Sequence, residues 1–367
     1  MSTATATTFE EQPSTSTTSV LMNPEGTEEN LVVNDDENID VEEAVREEFA
    51  TSLSVNSLNQ LQTQSHQLTD VQQGILEKFK EMVNAERSKM TKLQIYYCFH
   101  DEPKTMIRYL KARDWDLNNS FKLLKSSLTW IESPYKPYHL SAKQLWYEAS
   151  AAKIYIRGFD KANRPIVYLH AGRDLTKDPV VGLYLLVYTL IAATYRVVGE
   201  DDDDNRCQQI TWVCDFRDYT TKSAPPLSVC KQAVEILGSH FPERLGLCLM
   251  VHAPKVFHWF YKIISPFIPP VTKQKIQFCK GTKHAELRAF MEPFIDVSQL
   301  DKSYGGDKDI IYNHEEQWRE EMEWDKKRII KMKEHGALSE QEADQLLNEP
   351  VVNSMDKHVK LFKNRKH

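Results

Sequence analysis

Between residues 153 and 294 short β-rich runs alternate with helical stretches, and that alternation leaves few architectures open. The β-rich runs cover 153–158, 165–170, 209–215, 247–252 and 275–279; the helical ones cover 180–198, 226–239, 254–268 and 286–294. Strands separated by helices of this length are joined by crossovers, so they lie mostly parallel in one sheet with helices packed against it. The run 247–251 is apolar at every position, the pattern of a strand buried on both faces. Directly after it, 255–268 carries Val256, Phe257, Trp259, Phe260, Ile263, Ile264 and Phe267 and keeps almost no polar face. Such a helix is either a core helix or the cover of an apolar cavity that also touches a membrane.

Upstream of the sheet, apolar residues recur at helical spacing over 71–92 and again over 104–131. Asp116, Asn118, Asn119 and Ser120 divide the second stretch and supply an N-cap for the run that starts at Phe121. Residues 1–68 are rich in Ser, Thr, Gln, Asn and acids, and such a composition buries too little apolar surface to offset chain entropy. We expect that tail to be disordered. Its charge is lopsided: the first fifty residues hold thirteen acids and one base, Arg46, so the chain's −7 conceals a body of +5. A mildly basic body favours anionic lipid surfaces, at about 1 kcal/mol per well placed Lys or Arg, and no nucleic-acid partner is expected. Beyond 312 the chain is helical and charged and ends in a basic stretch, 357–367. The expected division is a tail (1–68), a helical subdomain (69–138), an α/β domain (139–312) and a charged helical extension (313–367).

Several function classes are excluded at this level. The six cysteines, Cys98, Cys207, Cys214, Cys230, Cys248 and Cys279, have no metal spacing and read as reduced thiols of a cytosolic protein. The N-terminus lacks the basic and apolar regions of a secretion signal, and Ser2 stands where a myristoylation site needs glycine. The longest uncharged stretch, 180–195, falls short of a bilayer span, so any membrane contact is peripheral. No nucleophile elbow, phosphate loop, dinucleotide fingerprint or zinc motif is present, and no catalytic residue or metal site is assigned. Asp201–Asp204 reads as a solvated connector rather than a cation site, because four adjacent acids impose no coordination geometry.

MIRYLKARDWDLNNSFKLLKSSLTW at 106–130, followed by RPIVYLHAG, WVCDFRDY, FPERLG, HAP, PFIPPVTKQKI and LDKSYGGD, resembles the CRAL-TRIO family and, within it, the fungal phosphatidylinositol transfer proteins. The resemblance covers about 95–312 and implies an α/β fold: an N-terminal helical bundle, then a lipid-binding domain with a mostly parallel sheet floor and a helical gate. It implies no cofactor beyond one bound lipid, phosphatidylinositol. Carried over by position, the headgroup contacts are Arg113, Glu243, Thr272 and Lys275; Lys275 and Arg113 neutralise a phosphodiester, Thr272 donates to it, and Glu243 accepts from inositol hydroxyls. Two of them also have a bland reading: Glu243 with Arg244 as a helix-end ion pair, and Lys275 as a solvated strand start. Asp114 departs from the pattern, standing where the family has a second basic residue, and Lys111 or Arg108 is its candidate compensation.

The pocket wall expected from the resemblance comprises Tyr168, His170, Ile210, Trp212 and Cys214. Period-2 alternation puts Ile210, Trp212 and Cys214 on one bulky apolar face, where relatives that also hold phosphatidylcholine carry hydroxyls. A choline phosphate buried there without partners would cost several kcal/mol, which predicts a second ligand other than phosphatidylcholine, such as a sterol. Tyr168 with His170 is also read as a haem-iron pair, against the commoner satisfied core histidine. Two acyl chains carry about thirty methylenes, each worth about 0.8 kcal/mol when withdrawn from water, so their carriage requires a closed cavity and a gate, 254–270, with Gly246, Gly305 and Gly306 as hinges. The expected function is phosphatidylinositol transfer by a cytoplasmic, peripherally membrane-associated monomer. Its rivals are a lipid-responsive regulator, in which a lipid kinase is the partner, and a carrier of a small hydrophobic ligand.

Overall fold

The computed structural model describes residues 19–22, 28–31, 68–198 and 208–363. The chain divides into two compact units, Met1–Glu47 and Glu48–His367. In the first, β1 (Ser19–Met22) pairs antiparallel with β2 (Glu28–Leu31), a pairing that the composition does not predict. The rest of the acidic tail, Cys207, the Asp201–Asp204 run and the last four residues lie outside the described set.

The body opens with α1 (Asp70–Glu86), α2 (Lys92–Phe99), α3 (Lys104–Lys111) and α4 (Leu117–Ile131). Their starts are written in local chemistry. Thr69 and Thr91 form capping boxes with Gln72 and Gln94, and the Asp116 carboxylate accepts from the Asn119 N–H. The helix expected over 71–92 ends at Glu86, and the Thr91 cap starts another, Lys92–Phe99, that periodicity does not show. Together these helices bury Leu76, Phe79, Met106, Tyr109, Leu110 and Ile131 in one core, and α5 (Ala142–Ala149) leads on to the sheet.

The sheet runs β3 (Ile154–Phe159), β4 (Pro165–His170), β5 (Ile210–Asp215), β6 (Leu245–Val251), β7 (Ile276–Phe278). Only the β3–β4 pairing is antiparallel; the other three are parallel. Because spatial neighbours are also sequence neighbours, right-handed crossovers put every connecting helix on the same face. These are α6 (Pro179–Val198), α7 (Leu227–His240) and the pair α8 (Lys255–Ile264) and α9 (Pro270–Gln274). The opposite face is covered by α10 (His284–Met291) and the chain after it, through Leu287, Met291, Phe294 and Tyr304. At 20 residues α6 is long enough to cross a bilayer, longer than the uncharged stretch suggests. Its apolar segment 179–197 is nevertheless 72% buried inside the protein, packed over β3, β4 and β5, so it is the central core helix.

The C-terminal helices, α11 (His314–Glu334), α12 (Glu340–Asn348) and α13 (Met355–Lys363), are integral to both cores. Ile329, Met332 and Leu346 enter the helical core, while Trp318 and Phe362 enter the core on the crossover face of the sheet. Several charges of α11 point inward. Buried Glu321 accepts from Tyr188 at 3.0 Å and Arg196 at 2.7 Å, and buried Arg328 pairs with Asp325 and donates to the Leu140 carbonyl, both at 2.7 Å. The five described cysteines are all free.

Candidate functional site

The expected gate resolves into three pieces: α8, a 3-10 turn (Ser265–Phe267) and α9, with prolines at 254, 266, 269 and 270 setting the breaks. It is seated on the sheet. Phe257 and Tyr261 are buried, with the Phe257 ring centroid 3.8 Å from Phe216 and the Tyr261 centroid 5.5 Å from Phe278. Ile210, Trp212 and Cys214 share the expected face and belong to the same core cluster as these two gate residues, together with Cys248 and Ile276. Ile263 and Ile264 are half-buried, and the side chains of Val256, Trp259 and Phe260 lie outside the described set. Phe267 is 49% and Val271 58% exposed, so the outward apolar edge is at the gate's C-terminal end.

Tyr168 and His170 do not join this wall. β4 alternates, and both stand on the α10 face, opposite Trp212 and Cys214. Tyr168 stacks on Tyr155 at 5.2 Å. His170 Nδ1 lies 3.4 Å from the Asp215 carboxylate, and its Nε2 lies 3.4 Å from both the Tyr155 and Tyr304 hydroxyls. With both ring nitrogens facing partners, His170 is a structural histidine, and the haem reading is withdrawn.

The group that sequence reasoning misses is the hub around Asp215. This carboxylate, 1% exposed, accepts from His252 Nδ1 at 3.0 Å, from Arg217 at 2.7 Å and from the Tyr304 hydroxyl at 3.0 Å, and it faces His170. Burial opposes its ionisation, but hydrogen bonds from His170, His252 and Arg217 outweigh burial and hold the carboxyl well below the usual range. The signal lies in the motif order: the hub ties together one residue or more from each of the YLHAG, WVCDFRDY, HAP and SYGG segments. It also marks a joint. His252 sits at φ +56°, a left-handed conformation rare for a side-chain-bearing residue, where β6 hands over to α8.

The glycines expected as hinges are instead crowded. A Cβ on Gly246 would come 2.7 Å from the Arg164 guanidinium, which pairs with Asp160 at 2.6 Å. On Gly305, at φ +86°, it would meet the Arg288 backbone at 2.2 Å, and on Gly306 the Leu300 carbonyl at 2.0 Å. At these positions glycine admits close approach of neighbouring groups that a side chain would block.

Two of the four headgroup candidates are in contact. Lys275 Nζ lies 3.4 Å from the Glu243 carboxylate, both partly buried. Glu243 sits at φ +57° in the turn before β6, and Lys275 caps α9, its N–H donating to the Thr272 carbonyl at 3.1 Å and its own carbonyl accepting from the Cys248 N–H at 2.9 Å. Thr272, Lys275 and Glu243 are thus held together where the gate's last helix meets the sheet. Arg244 does not pair with Glu243; it turns inward and donates to Gln208, which removes the helix-end ion pair. Arg113 donates to the Ala112 carbonyl at 2.7 Å and is in no hydrogen bond with the other three among the described residues. Asp114 and Trp115 have positive φ and turn the chain out of α3, leaving Asp114 exposed. Arg108 is buried among Asp101, Thr105 and Gln208 and does not compensate for Asp114, whereas Lys111 is exposed.

The sequence profile of the CRAL/TRIO domain matches residues 149–306, and that of the CRAL/TRIO N-terminal domain matches 73–126. Over 256 residues the chain is 30% identical to PDR17 of Saccharomyces cerevisiae, named a phosphatidylinositol transfer protein, covering 66% of this chain and 68% of that one. The chain belongs to the CRAL/TRIO family. Its similarity to CSR1 of Eremothecium gossypii, also named a phosphatidylinositol transfer protein, is 27% over 216 residues, or 55% of this chain and 46% of that relative. The fold is similar to that in the crystal structure of Sfh5, with a TM-score of 0.52 at 16% identity over 69% of this chain and 92% of the other.

Proposed function

We propose that this CRAL/TRIO protein binds phosphatidylinositol under α8 and α9 and transfers it between membranes, with no chemical step. The observation that carries the reading is the Glu243–Lys275 contact at 3.4 Å, beside Thr272 and at the rim of the apolar floor. Paired in this way, the two charges neutralise each other. A phosphodiester takes Lys275 and inositol hydroxyls take Glu243, so the lipid replaces one ion pair with charge-assisted hydrogen bonds to both residues. The acyl chains take the place of Phe257 and Tyr261 over Trp212, Cys214 and Ile276, which requires α8 to lift. The exposed Phe267 and Val271 make the gate end the part that meets a membrane surface. The apolar floor at Ile210 and Trp212 favours a neutral second lipid over phosphatidylcholine. The protein acts as a cytoplasmic monomer, peripheral to membranes.

The test is lipid mass spectrometry of the purified protein and phosphatidylinositol transfer between labelled vesicles, for wild type and for Glu243→Ala with Lys275→Ala. Wild type carries and transfers phosphatidylinositol, and the double variant loses at least tenfold of that transfer, since each charged hydrogen bond is worth about 1.5–3 kcal/mol. Unchanged phosphatidylinositol in the double variant refutes the site, and abundant phosphatidylcholine in wild type refutes the argument about the floor.

A further inference from the structure

A cavity of about 50 Å3 lies between α2, α3, α6 and α11 beside the turn that leads into β6. It has room for about three or four waters, or for one tetrahedral oxyanion. Its wall carries three guanidinium groups, Arg108, Arg244 and Arg328, with Lys331 and the hydroxyls of Thr105 and Thr194. Arg328 is matched by Asp325 at 2.7 Å and Arg108, less closely, by Asp101 at 3.4 Å. Arg244, 5% exposed, has no carboxylate partner among the described residues; it donates to the carbonyl and side-chain oxygens of Gln208, and Arg108 shares the second of these.

Asp101, paired with Arg108, is the one carboxylate among the described residues that acts on Arg244, and it offsets burial only in part. Burial, reinforced by neighbouring Arg108, pulls the Arg244 pKa down to about 9. The lining tyrosines supply no negative charge, because burial raises the pKa of Tyr97 and Tyr138 and keeps them protonated. Two further donors on this wall, Arg108 Nε and the Thr194 hydroxyl, have no acceptor among the described residues. Arg328 is engaged by Asp325 and by the carbonyls of Tyr138 and Leu140, which leaves Arg108 and Arg244, brought together on Gln208, as the guanidiniums that match a phosphate.

We propose that this cavity binds a phosphate group, taken either from free phosphate or from the phosphomonoester of a phosphoinositide headgroup. It is separate from the Glu243–Lys275 pair and stands whether or not that pair reads a lipid. The two sites share one turn, since Glu243 and Arg244 are consecutive and point to different sides. Phosphate on Arg244 therefore fixes the backbone that presents Glu243.

The experiment is calorimetric titration of the full chain with inorganic phosphate, with chloride at matched ionic strength as the control, beside flotation on vesicles with and without phosphatidylinositol 4-phosphate. One phosphate binds per chain. Lys331→Gln, at a half-buried lining residue, weakens it at least tenfold, as expected for one charged hydrogen bond, and Arg244→Gln removes it. Should Arg244→Gln fail to fold, Lys331→Gln and Thr194→Val decide. Competition between phosphate and the phosphoinositide vesicles assigns one site to both sources; vesicle binding lost in Lys331→Gln, without phosphate binding, assigns the headgroup. An equal response to chloride, or an unchanged affinity in the variants, overturns the proposal. So does phosphate binding only when Asp201, Asp202, Asp203 and Asp204 are all changed to Asn, since the counter-charge would then come from the chain itself.

Discussion

Replacing Phe257 with Ala separates a gate from a permanent core helix. Phe257 is 5% exposed, its ring 3.8 Å from Phe216 and within 6.5 Å of Tyr219, Tyr261 and Phe278. Truncating a phenylalanine packed this way costs about 3–5 kcal/mol. If α8 opens as a unit while the sheet stays folded, that loss falls on the closed state and lowers the free energy of local opening and of global unfolding alike. The amides of α8 should then exchange with solvent about a hundred- to a few-thousandfold faster, at a factor of ten per 1.4 kcal/mol. The amides of β5 and β6, protected until global unfolding, should accelerate by a similar factor yet keep a larger protection free energy than those of α8, in wild type and variant alike. Native-state hydrogen exchange read by mass spectrometry reports both segments in one experiment. Equal protection free energies in α8 and in β5 and β6 would refute the reasoning, because α8 would then leave the sheet only when the whole domain unfolds.

Three further outcomes are expected. Phe267→Asp with Val271→Asp, both at exposed positions, should lower vesicle-dependent lipid transfer at least tenfold while shifting the thermal midpoint by less than about 2 °C; wild-type transfer rates would remove the gate end from the membrane contact. Burial brings the pKa of His100 and of His240 down to about 4. Between about pH 6.5 and 4 the unfolded chain therefore binds protons that the folded chain refuses, and stability falls on acidification by about 1.4 kcal/mol per pH unit for each histidine. His240→Gln, at the ring stacked 4.3 Å from Trp130, should flatten that slope in urea titrations across the range, and an unaltered slope would count against it. Asp215→Asn leaves Arg217, His170 and His252 without their common charged acceptor and should destabilise by about 3 kcal/mol in chemical denaturation; a loss under about 1 kcal/mol would show that the hub does not depend on its charge.

What can be read along the chain is what depends on neighbours in sequence. The alternation over 153–294 shows the parallel sheet because crossover length and handedness are local constraints. The caps at Thr69 and Asp116 and the prolines around α8 likewise act within a few residues. The Glu243, Thr272 and Lys275 positions come from motif order, and folding brings Glu243 and Lys275, 32 residues apart, within 3.4 Å. Arg113 shows the opposite outcome: motif order places it with them, yet its guanidinium folds back on its own helix end.

Tertiary structure alone decided which side each group faces. Tyr168 and His170 look like pocket residues in a string, but strand alternation sends them to the α10 face, where Asp215 holds His170. Gly246, Gly305 and Gly306 stand out in a string only as permissive residues, and the fold adds that another backbone or side chain comes too close to each for a Cβ. The charges of α11 look solvated because charge usually is; Glu321 and Arg328 are buried because partners on α6 and in the turn before α5 reach them through space. Composition and periodicity settle the elements and their order, which follow from local dihedral and burial preferences. The direction of Arg244, the partners of Asp215 and the seat of Phe257 depend on residues far apart in sequence, and only packing brings those into register.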